Sequence, residues 1–97
     1  MASALLCEAI QGHRLLAFDY NGLSRVVAPY AHGFIRSGEA LRAIQVRGGS
    51  SSGLSPEGKL WTVSKMRAIQ LLDEAFSPDD PHYNPDDSAM LRIHCRI

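Results

Sequence analysis

The sequence predicts a mainly-β fold: a small β-barrel of five to six short antiparallel strands with one N-terminal α-helix. Three observations lead to this prediction. Asn21-Gly22 separates two alternating segments, which is a strong β-hairpin signal. Several later segments also alternate apolar and polar residues, whereas a helical apolar stripe occurs near the start. Because short strands in an open sheet leave exposed edges, we expect the sheet to close into a barrel.

The first predicted element is a helix over residues 3–11. Ser3 is a suitable N-cap and Gly12 a suitable C-terminal stop. The residues of its apolar stripe recur at helical spacing and are Leu5, Leu6, Ala9 and Ile10.

The second element is a hairpin over residues 14–28. Asn-Gly is the preferred pair for a two-residue type I′ turn, because both central residues need a positive φ. This turn fixes the strand register, so that Tyr20 faces Leu23, Phe18 faces Arg25, and Leu16 faces Val27. One face of the hairpin then carries two aromatic rings and a guanidinium, an unusual combination for a pure core face.

The rest of the chain supplies the remaining strands. Pro29 should limit the second strand to its end or to a sheet edge. The later strand candidates are residues 34–36, 40–47, 59–66, 68–72 and 90–97, with a turn at Ser37-Gly38 and a flexible Gly/Ser-rich loop over residues 48–58.

The chain divides into a barrel domain with its helix (1–76), a Pro/Asp-rich connection (77–88) and a C-terminal strand (89–97). The last strand carries an apolar row, which we expect to pair with an edge of its own barrel or of a second copy, the latter giving a strand-exchanged dimer. Its other face is a small basic patch of Arg92, His94 and Arg96.

Composition narrows the class of protein. The 97 residues suffice for one modest core, and the net charge is zero, so any polyanion site must be a local patch. Cys7 and Cys95 lie near opposite ends without ligand-like spacing, which favours buried, reduced thiols in a cytosolic protein over a disulfide. The start resembles no signal peptide and no apolar run reaches membrane-spanning length, so the predicted compartment is the cytoplasm.

Motifs for catalysis and metal binding are weak, and we predict no enzyme, no metal and no cofactor. Residues 53–59 match a phosphate-loop pattern, but Leu60 replaces the required Ser or Thr and a strand follows, not a helix. A zinc set built from Cys95, His94 and either Cys7 or His13 lacks ligand spacing. The acidic residues of the connection lack the pattern of an EF-hand calcium loop; they are Asp79, Asp80, Asp86 and Asp87. No Ser or Cys nucleophile lies at motif spacing from His32 or His82.

The order of several motifs resembles the WYL domain of bacterial transcription regulators. The helix, residues 14–20 and residues 25–29 resemble its opening, and residues 59–66 resemble its R-x-F-x-L-x-R-I strand. Phe76 and Tyr83-Asn84-Pro85 resemble the segment after that strand. The resemblance covers most of residues 4–87, with Leu41-Arg42-Ala43 at the position of the Trp-Tyr-Leu tripeptide.

This resemblance implies an Sm-like, SH3-type barrel that senses a ligand, commonly a nucleotide or single-stranded nucleic acid, in transcriptional regulation. A DNA-binding partner protein would follow from it, whereas a homodimer would follow from exchange of the last strand between two copies. The candidate ligand residues are Tyr20 and Trp61 for base stacking and Arg25, Lys59 and Lys65 for phosphate.

Two alternatives stay open. In the first, Trp61 and Phe18 belong to the core, and Arg25 lies at the surface with the aliphatic part of its side chain packed on Tyr20. For Phe18 we favour the core. In the second, the chain is a protein-interaction or oligomerisation module with no nucleotide site, which its zero net charge favours.

Overall fold

A computed structural model describes residues 2–48, 59–78 and 89–97. It confirms a mainly-β chain with one N-terminal helix and six antiparallel strands in one sheet. In chain order the elements are α1 (Ala2–Gly12), β1 (Arg14–Tyr20), β2 (Leu23–Ile35), β3 (Gly38–Gly48), β4 (Lys59–Thr62), a 3₁₀ turn (Val63–Lys65), β5 (Arg67–Ala75) and β6 (Arg92–Arg96).

The sheet has the strand order β4-β3-β2-β1-β5, and β6 pairs with the second half of β2. Within the described residues β4 and β5 do not pair, so the sheet is not closed into a barrel. The single strand predicted over residues 59–66 is wrong, because the chain leaves the sheet after Thr62 in a 3₁₀ turn and re-enters at Arg67.

The hairpin register is confirmed. Tyr20 pairs with Leu23, Phe18 with Arg25 and Leu16 with Val27. Asn21 and Gly22 have φ values of 52° and 77°, the left-handed conformation that a type I′ turn requires. The turn chemistry therefore sets which side chains of β1 and β2 share a face.

Pro29 does not end β2, and the separate strand predicted at residues 34–36 is the end of the same strand. On one side of β2, pairing with β1 stops at Val27 and pairing with β6 starts at Ala31. On the other side, the register against β3 shifts between Pro29 and Ala31. Pro29 thus lies beside a bulge, in the gap between two partner strands, where a missing N–H is tolerated.

The helix lies against the sheet and supplies part of the core. Leu6, Ala9 and Ile10 have no exposed surface, and they pack in one cluster with Phe18 and Trp61. The predicted apolar stripe of the helix is therefore the face that the sheet covers.

The two cysteines are not free, so the prediction of buried thiols is wrong. Cys7 of α1 and Cys95 of β6 form a disulfide, with their Cα atoms 5.8 Å apart across a sequence separation of 88. Sequence spacing does not reveal this pair, because only the packing of α1 against β6 brings the two ends together.

The predicted C-terminal strand pairs with β2 of its own chain. Cys95 lies opposite His32, and Arg96 lies opposite Ala31. Among the described residues no helix combines the length and apolar character that crossing a membrane requires.

Candidate functional site

Arg25 is the centre of the candidate site. The side chain comes from β2, opposite Phe18, and only 4% of the residue is exposed. Its guanidinium donates from Nη2 to the Tyr20 carbonyl oxygen at 3.1 Å and from Nη1 to Gln45 Oε1 at 3.4 Å. Its Nε is buried and has no hydrogen-bond partner.

Aromatic rings surround this guanidinium. Arg25 Cζ lies 5.7 Å from the Tyr20 ring centroid and 5.5 Å from that of Trp61, both within cation–π range. Lys59 Nζ lies 5.6 Å from the Trp61 ring centroid. The curvature of the sheet brings these groups from β1, β2 and β4 into one cluster.

Four of the five predicted ligand residues therefore lie together: Tyr20, Arg25, Lys59 and Trp61. Lys65 is exposed on the 3₁₀ turn, and no hydrogen bond, ion pair or ring contact of the described residues connects it to the other four. The reason is the turn itself, which removes Lys65 from the strand face that it was predicted to share with Trp61.

Trp61 belongs to the core rather than to a stacking surface. Only 2% of the residue is exposed, and its Nε1 donates to the Ala43 carbonyl oxygen at 3.1 Å. Phe18 is buried to the same degree, as favoured from the sequence. Tyr20 is half-buried, and its hydroxyl accepts a hydrogen bond from the Thr62 N–H at 3.2 Å. Of the two candidate stacking rings, Tyr20 alone has accessible surface in this arrangement.

The charge of Arg25 has no acidic partner in the described part of the chain. Its hydrogen bonds go to neutral oxygens, and no carboxylate forms an ion pair with it. Burying an unpaired charge is unfavourable, and the two rings and two neutral acceptors offset only part of this cost. An anion that reached the guanidinium would supply the missing partner.

An open cleft of about 290 Å³ lies beside this residue. β1, β2 and β5 line it, with Asp19, Ser24, Arg25, Ala68 and Gln70 among the lining residues. At the rim the Ser24 hydroxyl donates to Asp19 Oδ1 at 3.1 Å. The cleft therefore contains one buried cation, one exposed carboxylate and several neutral hydrogen-bonding groups.

A bulge in β5 shapes one wall of the cleft. Ala17 pairs with Gln70 and Asp19 with Arg67, so that β5 has one residue more than β1 between these pairs. Ala68, within the bulge, has a φ of 51°, which is strained for a residue with a Cβ atom. Such bulges with strained residues are common next to functional sites.

Three residues of the site were not predicted from the sequence: Gln45, Asp19 and Ser24. Gln45 is a buried polar residue of β3. A polar residue in the apolar row of an alternating strand is visible in the sequence, and this pattern could have identified Gln45. Asp19 and Ser24 follow from the confirmed hairpin register, which pairs them directly.

The predicted basic patch lies elsewhere on the sheet. Arg92, His94 and Arg96 are all exposed on β6, beside the second half of β2. Arg92 Cζ lies 5.8 Å from the Phe34 ring centroid, and the His94 ring lies 5.3 Å from that of His32. The phosphate-loop match before Lys59, the four aspartates, His82 and Tyr83-Asn84-Pro85 fall outside the described residues.

Comparison with known proteins does not assign the chain. No family model matches it, and neither does any curated protein or solved structure.

Proposed function

We propose that this chain is a non-enzymatic module that binds a phosphate-bearing ligand, a nucleotide or a segment of single-stranded nucleic acid, in the cleft beside Arg25. The observation that carries the proposal is a buried guanidinium with no carboxylate partner among the described residues and an unpartnered Nε. A phosphate oxygen is the acceptor that such a group lacks, because charge-assisted bonds to guanidinium are about twice as strong as neutral ones.

Lys59 and Tyr20 extend the same site. Lys59 is half-buried, and its ammonium adds a second positive charge beside the Trp61 ring that Arg25 also contacts. Tyr20 offers the accessible ring on which one base stacks. Trp61 holds both cations in place from the core rather than contacting the ligand itself.

The fold supports a finer proposal, that of a divergent Sm-like module related to the WYL domain. The support is an N-terminal helix packed on an antiparallel sheet in which β1 lies between β2 and β5. On this proposal the module acts in transcriptional regulation beside a DNA-binding partner protein.

The test is a titration with short single-stranded oligonucleotides, followed by the fluorescence of the single tryptophan, Trp61. If Arg25 and Lys59 each neutralise one phosphate, affinity should fall about seven-fold between about 50 and 200 mM salt. Arg25→Gln should weaken binding at low salt by at least ~10-fold, because it removes a charged hydrogen-bonding group.

Two further variants make this test specific. Asp19→Asn should strengthen binding, because it removes a negative charge from the cleft and leaves Arg25 intact. Arg36→Gln is the matched control, since it removes one charge from an exposed turn at the opposite end of β2. The absence of any binding at low salt, or equal affinities for Arg25→Gln and Arg36→Gln, would overturn the proposal.

A second candidate function is the docking of a partner protein. β5 pairs with β1 along one side, and none of the described strands pairs with its other side. Most of its residues are exposed, which leaves backbone groups for an added strand. Oligonucleotide binding that is absent at every salt concentration would favour this candidate over the first.

A further inference from the structure

A second group of reactive side chains lies in the other half of the sheet. Cys7, His32 and Cys95 each offer one metal-ligating atom, and these three atoms lie within 4.8 Å of one another. The residues come from α1, β2 and β6, so the packing of the helix against the sheet assembles the group.

His32 has no exposed surface, and its two ring nitrogens differ. Nε2 lies 2.6 Å from Glu39 Oε2, whereas Nδ1 is buried and has no hydrogen-bond partner. A proton on Nε2 is donated to the carboxylate and leaves a free lone pair on Nδ1. An unpartnered buried polar atom is unfavourable by about 1–3 kcal/mol, so this nitrogen needs an explanation.

Both cysteine sulfurs lie close to the His32 ring. Cys95 is buried and pairs directly with His32 across β6 and β2, and Cys7 is half-buried on the helix above. In the oxidised protein the two sulfurs are bonded to each other. Two thiolates and one imidazole nitrogen remain when that bond is reduced.

We propose that the reduced protein binds one zinc ion through Cys7 Sγ, Cys95 Sγ and His32 Nδ1, in a site that the disulfide closes. This set is a known zinc coordination type, with the fourth position left to water or an exogenous ligand. A tetrahedral zinc ion keeps such ligand atoms roughly 3.5–3.8 Å apart. After reduction the two sulfurs, which are bonded to each other in the oxidised protein, must therefore separate, while the widest spacing of the cluster, at most 4.8 Å, contracts by about 1 Å.

Glu39 is a positioning residue for this site. Ligating histidines commonly donate their second N–H to a carboxylate, which fixes the tautomer and makes the ligating nitrogen more basic. The Glu39–His32 pair has this arrangement before any metal is added.

Reduction of the disulfide and binding of the metal are two separate steps, and each conserves atoms and electrons. A dithiol reductant delivers two electrons and two protons, the S–S bond breaks, and the reductant becomes a disulfide. Zinc then displaces the proton of each thiol, and both protons pass to solvent. The metal and the disulfide therefore exclude each other, and the redox state of the compartment selects between them.

Sequence spacing pointed away from this site. The zinc ligands considered from the sequence were Cys95 and His94 together with Cys7 or His13. In the structure His94 is exposed, and neither His94 nor His13 belongs to the cluster. His32 faces Cys95 because of the register between β2 and β6, which no local motif encodes.

The experiment uses the full chain, reduced and kept free of oxygen, and titrates it with Co²⁺ as a spectroscopic probe and with Zn²⁺ in competition. We expect one ion per chain, with thiolate-to-cobalt charge-transfer absorption and the visible bands of a tetrahedral site. Zn²⁺ should displace Co²⁺ and raise the Tm of the reduced protein, because a ligand of the folded state stabilises it. The oxidised protein should bind neither ion at this site.

Variants then separate a three-ligand site from simpler explanations. Cys7→Ser should remove at least half of the charge-transfer absorption, because one thiolate is left, and Glu39→Gln should weaken affinity by about 10–100-fold, as expected for a group that orients a ligand. His94→Gln is the matched control, since it removes a neighbouring exposed imidazole, and should bind normally. A reduced wild-type chain without charge-transfer absorption would overturn the proposal, as would unchanged affinity in both Glu39→Gln and His32→Gln.

Discussion

At the scale of single residues, Gly33 is a position of β2 where the backbone of β6 leaves no room for a side chain. A Cβ atom there would lie 2.2 Å from the Arg92 carbonyl oxygen and 3.0 Å from Ile93 Cα. These contacts are with backbone, which a side-chain rotation does not relieve. The pairing of β6 with β2 therefore depends on the absence of a side chain at this residue.

Gly33→Ala should accordingly destabilise the protein by about 1–3 kcal/mol, the usual range for forced overpacking. Thermal unfolding monitored by circular dichroism measures this as a decrease in Tm of several degrees. Gly12→Ala is the matched control, because a Cβ atom there meets only the flexible Arg14 side chain, at 3.6 Å or more. Equal Tm values for the two variants would contradict the assigned role of Gly33.

Side-chain neighbours across the hairpin were predictable, but burial was not. The Asn21-Gly22 turn fixes the register, so the pairing of Phe18 with Arg25 follows from local chemistry. The alternation of apolar and polar residues assigns Trp61 to one face of a strand, but it does not show how deeply the side chain is buried. Trp61 is buried because the curved sheet places β1 over β4, a long-range contact that no local pattern encodes.

At the scale of elements, β3 and β5 are connected by a surface ion pair. Arg47 Nη1 donates to Glu74 Oε2 at 3.0 Å, and Nη2 donates to the other carboxylate oxygen. The hydrogen bond from Arg47, together with its charge, lowers the pKa of Glu74 below its ordinary value of 4.5. β1 and β2 lie between these two strands in the sheet, so side chains of β3 and β5 reach each other because the sheet is curved.

Acidification should remove the contribution of this pair. Because the pKa of Glu74 is lower in the folded than in the unfolded state, the stabilisation is complete above the unfolded value, near pH 4.5, and is lost as the pH falls through the folded value. Glu74→Gln should lower the Tm by a few degrees at most at pH 7, and less at high salt.

The measurement is thermal unfolding of wild type and Glu74→Gln from pH 7 to pH 2. The difference in Tm should shrink towards the acid end, as wild-type Glu74 takes up its proton. Arg47→Gln and the double variant complete a thermodynamic cycle that isolates the pair from other effects of each change. A Tm difference of constant size across this range would contradict the assignment.

The order of elements was predictable where a helical apolar stripe or a clear turn is present, as for α1 and β1, whereas β5 followed only from a continuing apolar run. The continuity of β2 through Pro29 was not, because it depends on which strands flank that residue on each side. The 3₁₀ turn after Thr62 was hidden for a similar reason, since its residues continue the alternation of a strand.

At the scale of the whole molecule, β6 covers an edge that the N-terminal hairpin leaves open. β1 pairs with the first half of β2 only, and β6 completes the second half from Ala31 to Phe34. Deletion of residues 88–97 would expose that edge and would also remove the disulfide. An uncovered strand of this kind is a template for pairing with another chain.

The truncated chain should therefore have a Tm lower by at least about 10 °C than the oxidised wild type and should self-associate as concentration rises. Light scattering coupled to size-exclusion chromatography gives the mass, and calorimetry gives the Tm. Full-length Cys7→Ser is the control, because it lacks the disulfide but keeps β6. If the truncated chain matches Cys7→Ser in both mass and Tm, the strand contributes nothing beyond its cysteine.

The fold class was predictable at this scale, whereas closure and the linkage of the two ends were not. Alternation and turn residues indicate how many strands form, but the pairing of edges depends on sheet curvature. The zero net charge predicted that any polyanion site is a local patch, but it did not predict where on the molecule that patch lies. The cleft beside Arg25 and the cluster around His32 both form from segments distant in the chain.

The Cys7–Cys95 bond has a mechanical consequence. It joins the first helix to the last strand, so the backbone between them forms a covalent ring. A force applied to the two ends of the oxidised chain passes through the sulfur bridge and leaves the sheet unloaded. Reduction transfers that same load to the strands, so the thiol chemistry of the surroundings determines whether tension can unravel this protein.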